Sequence, residues 1–120
     1  MTGDQFEARL AKVRHRFATA LESKITATLI FADRMARGDD AGGALVSESY
    51  RHLHGICGIG PTVGFAATGQ AARAAETALL RAMAEKRKPT NREISNLKEA
   101  LAHLQSAAAS ELRMMYQRGG

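Results

Sequence analysis

Apolar residues recur along the chain by threes and fours rather than by twos, which is the spacing of one helical face. From about Asp4 to Arg37, Phe6, Leu10, Val13, Phe17, Leu21, Thr28, Ala32 and Met35 keep that spacing. Thr2 and Gln5 just ahead of them have the spacing of a capping box. The run is longer than an ordinary globular helix, so the pattern predicts a short helix leading into a longer one. Gly38, Asp39, Asp40, Gly42 and Gly43 then mark a turn. A second helix is expected from Ala44 to Ile59, closed by a Gly-rich turn around Pro61. The third is expected from near Gly64 and Phe65 to about Arg87. Lys86 to Pro89 separates it from a fourth that opens at Thr90, with Glu93 at capping-box distance. In that last segment Ile94, Leu97, Leu101, Leu104, Ala108, Leu112 and Met115 repeat for seven turns. Long amphipathic helices joined by short connections pack as antiparallel neighbours. The expected fold is all-α: an antiparallel up-down four-helix bundle with an N-terminal helical extension, one domain over 1–120. Arg118, Gly119 and Gly120 are expected to fray.

Composition supports this pattern. Of the 120 residues 23 are Ala, none is Trp and two are Pro, a balance that favours helices over sandwiches or barrels. Cys57 is the only cysteine, so no internal disulfide forms, and no Cys/His cluster has structural-zinc spacing. The longest apolar stretch, residues 27–32, is far too short to cross a bilayer. Asp4 and Glu7 near the start, with no apolar run, do not read as a signal peptide. A cytoplasmic protein without a membrane partner is expected. Phosphate-binding glycine loops, nucleophile elbows and metalloprotease helix motifs are absent from the sequence. The net charge of +5 first suggests an acidic partner. Its distribution changes that picture, because residues 86–120 carry +4 whereas 41–85 sum to zero. With no helix-turn-helix, zinc-finger pattern or interleaved aromatics, nucleic acid is not expected as a partner.

Candidate chemistry centres on the histidines. His15 and His103 lie in ordinary surface-type sequence. His52 and His54, two apart, point about 160° away from each other on a helix and cannot share a metal ion. With Leu45 at 0° on a helical wheel, His52 borders the apolar stripe and His54 falls near 180°. Tyr50, Arg51 and Gly58 surround His54 there, with Cys57 and Gly55 at the flanks. Glycines at 55 and 58 each cost a helix about 1 kcal/mol. Two explanations stand: a partner must come close, or the helix frays toward Gly60 and Pro61. In the third helix Phe65, Ala72, Leu79 and Met83 form a stripe, and Glu76 lies about 40° from Ala72. A carboxylate there either pairs, an imidazole being a natural partner, or snorkels to water.

His54, Gly58 and the Gly64-Phe65 pair together resemble the signature of histidine-containing phosphotransfer (HPt) domains, with an ending most like that of chemotaxis kinases. Glu76 stands twenty-two residues after the histidine, where the family carries a Glu or Gln that hydrogen-bonds the ring. Phe17 to Met35, Gly38, Asp39 and Leu45 also look like the family's preceding helix and turn. The resemblance covers roughly residues 17 to 87. It implies a phosphoryl carrier with no autonomous catalysis. His54 would accept the group from a receiver-domain phospho-aspartate or a sensor histidine kinase and pass it to a response-regulator aspartate. Glu76 would orient the ring, and Gly58 would admit the partner. No cofactor is implied beyond Mg²⁺ brought by the receiver. The chain departs from the family at Cys57, where a Lys or Arg is usual, and Arg51 on the same face is the candidate substitute. Tyr50, Cys57 and an outward-facing Ile30 are candidate docking residues. The alternative is a degenerate HPt-like module that docks receivers or kinases without being phosphorylated.

Overall fold

A computed structural model describes residues 2–39 and 43–118. Four helices account for nearly all of them: α1 (Gly3–Ala36), α2 (Ala44–Ile59), α3 (Ala66–Ala84) and α4 (Asn91–Gln117), with a 3₁₀ turn over Gly60–Val63. Among the described residues there is no strand. Each helix packs antiparallel to the next, and α4 returns against α1, so the bundle closes in the order of the chain. The pairs that fix this run in opposite directions: Phe31 with His52, His54 with Glu76, Thr68 with Glu111 and Asp33 with Lys98.

Both expected capping boxes form, Thr2 with Gln5 and Thr90 with Glu93. The N-terminal segment departs from expectation, because α1 is one uninterrupted helix rather than a short one feeding a longer one. At 1.5 Å per residue it runs ~51 Å, the full 50 Å length of the molecule. Within it the fully buried Thr28 donates its hydroxyl to the Lys24 carbonyl at 2.8 Å, which satisfies the hydroxyl inside the helix. No residue of α1 before Phe17 is buried, so its first four turns form the expected extension. Arg14 ties that extension to the bundle through a 2.9 Å bond from Nε to the Val63 carbonyl.

α3 starts where expected, with Phe65 at its N-cap behind the Gly60–Val63 turn and a left-handed Gly64 (φ +92°). It stops at Ala84 rather than near Arg87. Lys86 takes a left-handed conformation there (φ +52°), a role usually given to glycine and therefore silent in the sequence. Met83, read as part of the buried stripe, is 36% exposed, and Ala82 is buried instead. The stripe is rotated toward Ala75 and Ala82, which leaves Glu76 at its edge. Of the residues expected to fray, Arg118 caps α4; Gly119 and Gly120 lie outside the described residues, as do Asp40 and Gly42 of the first turn.

No side chain of its own caps α3. The Glu111 carboxylate from α4 reaches across instead. It accepts from the Thr68 amide at 2.7 Å, the Ala67 amide at 3.3 Å and the Thr68 hydroxyl at 2.6 Å. An anion at a helix N-terminus is where both the free amides and the helix dipole favour it. Glu111→Ala is expected to lower stability by about 1–2 kcal/mol, read as a reduced midpoint in urea with the slope unchanged.

At the other end of α3 the Arg87 guanidinium bonds Glu93 in a fork (2.8 and 3.0 Å) and Glu85 at 2.8 Å. This holds the Glu93 carboxyl at about 2, chiefly through the Arg87 bond and against the opposing effect of burial. A carboxyl lowered on folding stabilises the fold above its unfolded value and loses that contribution as pH falls through its folded value. Glu93→Gln should therefore melt lower than the parent at pH 7. The gap should close between pH 4.5 and 2.

Candidate functional site

α2 buries Leu45, Val46, Ser49, Leu53 and Ile56, and this face turns His54 to the opposite side, where its side chain is 68% exposed. α3 runs beside it at close range because Gly69 faces Pro61 and the Cys57 carbonyl. A Cβ on Gly69 would stand 2.8 Å from Pro61 Cδ and 3.6 Å from that carbonyl oxygen. Two turns further along α3, Glu76 meets the histidine, with Nδ1 to Oε1 at 3.1 Å. The carboxylate is only 16% exposed, so it pairs rather than snorkelling.

The bond selects the tautomer of the neutral ring. A carboxylate oxygen accepts, so the hydrogen sits on Nδ1 and the Nε2 lone pair is left for chemistry. Tyr50, one turn earlier on α2, lies flat against the same ring, with centroids 5.7 Å apart and planes 9° apart. Its phenol is held above the ordinary range, chiefly by side-chain hydrogen bonding toward Glu76. The other carboxylate oxygen, Oε2, is buried with no partner in strict hydrogen-bonding geometry. Glu76 thus has more acceptor capacity than its neighbours use.

His52 sits apart from this cluster, half-buried and stacked on Phe31 at 6.5 Å between centroids. The two histidines therefore occupy different environments. No family model matches the chain, and neither the curated proteins nor the solved structures contain a match to it. Function is therefore read from the residues and their arrangement.

The remaining candidates lie on α2 around His54, apart from Ile30 on α1. Gly58 lies within α2, which stays helical to Ile59, so fraying does not explain the glycine. A Cβ at Gly55 or Gly58 would meet nothing within 4 Å. Neither glycine is therefore required by contacts within the chain. Arg51 is exposed, on the side of His54 away from α3. Cys57 is a half-buried free thiol on the α3 side. Ile30 on α1 is 53% exposed, beside the Phe31 that packs on α2.

Three neighbours were not singled out by the sequence. Leu80, 50% exposed, lies one turn beyond Glu76 on α3. Its displacement from the apolar stripe is the same signal that marks Ile30. Ile59, 46% exposed, lies just beyond Gly58 at the end of α2. Arg73 is exposed and lies one turn before Glu76 on α3. Its guanidinium is held still more firmly in the charged form, chiefly by hydrogen bonding with Cys57 and more weakly by Glu76. Among the described residues no three His, Cys, Asp or Glu side chains are grouped to hold a metal ion. No described helix is long and apolar enough to cross a membrane.

Proposed function

We propose that this chain is an HPt-type phosphorelay carrier. Its His54 takes a phosphoryl group from a receiver-domain phospho-aspartate or a sensor histidine kinase and gives it up to a response-regulator aspartate. The observation that carries the reading is the bond between Glu76 and Nδ1 of the exposed His54, which in the neutral ring leaves the Nε2 lone pair available. The Nε2 lone pair attacks phosphorus as the bond to the donor's aspartate oxygen breaks, and the departing carboxylate keeps that electron pair. Nδ1 keeps its hydrogen, so no base has to remove a proton. The ring becomes cationic, and Glu76 offsets that charge.

Catalytic machinery beyond this comes from the partner, including the Mg²⁺ that receivers carry. Tyr50 and the Cys57 flank supply contact surface around the ring, and the exposed Ile30 adds an apolar contact on α1. Gly58 leaves space for the incoming aspartate to come into line. Arg51 offers positive charge on the side away from α3. A cytoplasmic setting suits such a relay.

The second reading, a docking module that is never phosphorylated, draws on Cys57, where the family it resembles carries a basic residue. One experiment separates the two. The protein is incubated with a panel of phosphorylated receivers and histidine kinases and assayed for acid-labile, alkali-stable phosphate. Label on His54 supports the carrier; stable complexes with no label support the docking module.

A further inference from the structure

Resting on the reading of His54 as the phosphoryl acceptor, we infer that Arg73 on α3 is the side chain that binds the transferred phosphoryl oxygens. Three observations converge on it. The first is the inter-helix offset. The Cys57 carbonyl lies opposite Gly69, and His54 lies opposite Glu76. Residue 73 falls between these two levels and on nearly the same face, since it is about 40° from residue 69 and 60° from residue 76 on the helix. It therefore stands beside the α2 turn that follows His54.

The second is the ring's environment. Tyr50 covers the imidazole face directed toward the start of α2. The uncovered face looks toward Cys57 and Gly58, the side on which Arg73 stands. A phosphoryl group on Nε2 can extend over Gly58, where even a Cβ would touch nothing. The third is charge. Arg73 is exposed, and Cys57 and Glu76 are the titratable groups that act on its charge. An arginine fork matches two phosphoryl oxygens better than it matches a thiol. Arg51 lies across the ring from Arg73, so the two cations flank the site from opposite sides.

The test uses phosphoramidate, a small phosphoryl donor that needs no partner protein. Nε2 attacks phosphorus, the P–N bond of the donor breaks, and ammonia leaves with the electron pair. The rate of phosphohistidine formation at His54 is followed by ³¹P NMR. Arg73→Gln should slow it about tenfold. Arg73→Lys should recover most of the loss, because a point charge on a flexible stem still reaches the oxygens. Arg81→Gln, two turns along the same helix, controls for bulk charge and should label at the parental rate. Salt should slow the parent more than Arg73→Gln, a dependence that a purely structural role would not produce. A parent that labels on His54 and an Arg73→Gln variant that labels equally fast would overturn the role of Arg73 alone. A parent that takes no label from phosphoramidate or from any phosphorylated receiver would overturn the carrier reading and this inference with it.

Discussion

His54→Gln should abolish phosphoryl incorporation, while His52→Gln should leave it intact. The two imidazoles are chemically alike and two residues apart, so the contrast tests environment rather than residue type. His54 is exposed, with its tautomer set by Glu76. His52 is half-buried, with the Phe31 ring rather than a carboxylate stacked beside it. Gln approximates the size of the ring and has no nucleophilic nitrogen. Because His54 contributes little buried surface, His54→Gln should melt within about 0.5 kcal/mol of the parent. His52→Gln should lose about 0.5–1.5 kcal/mol with its stacking contact. Acid-labile label that persists in His54→Gln would refute the assignment. Loss of label in His52→Gln, with its helix content preserved, would move the site to the other face of α2.

Glu76→Ala should cut the rate of labelling by about 10- to 100-fold, the value of one charge-assisted hydrogen bond to a cationic ring. Without the carboxylate the ring hydrogen is free to sit on either nitrogen, and the cation formed by transfer has no anion bonded to it. Glu76→Gln keeps an acceptor but not the charge and should fall between parent and alanine. Stability should move the other way or not at all. The parent buries a carboxylate whose Oε2 has no partner in hydrogen-bonding geometry, and removing an under-satisfied buried charge recovers its desolvation cost. A slower but equally stable Glu76→Ala therefore separates a functional role from a structural one. The Tyr50 phenol should also return toward its ordinary range in this variant, since Glu76 is its main perturbation; ultraviolet titration reads this directly. Equal labelling rates in Glu76→Ala and parent would refute the ring-supporting role.

Local periodicity carried most of the fold. Residues three and four apart defined the core faces, and the Thr2–Gln5 and Thr90–Glu93 boxes marked two helix starts. The wheel also set His54 apart from His52 and placed Glu76 in or beside its stripe, because both depend only on rotation about one helix. Apart from the His54–Glu76 pair, which the family resemblance supplied, features that depend on two helices stayed hidden. The Glu111 carboxylate that caps α3 lies 43 residues from Thr68, and no spacing rule joins them. Arg73 needed the offset between α2 and α3, which the Gly69–Pro61 approach sets. The length of α1 misled because 34 residues exceeds the usual globular helix, yet no glycine or proline interrupts the run from Asp4 to Arg37, and α2 and α4 pack along it. The end of α3 was unreadable because a lysine adopts the conformation that usually announces itself as glycine.

The flat stacking of Tyr50 on His54 has a consequence for how information passes through such a carrier. The imidazole is held edge-on by Glu76 and face-on by Tyr50, on a helix whose opposite side is locked in the core. A phosphoryl group added at Nε2 has open space over Gly58 and leaves both ring contacts in place. Loaded and empty forms would then differ to a partner in charge but hardly in shape. A carrier of that kind has no built-in direction. Flow through it follows the relative phosphorylation of the partners on either side, and it runs backward as readily as forward when their balance reverses.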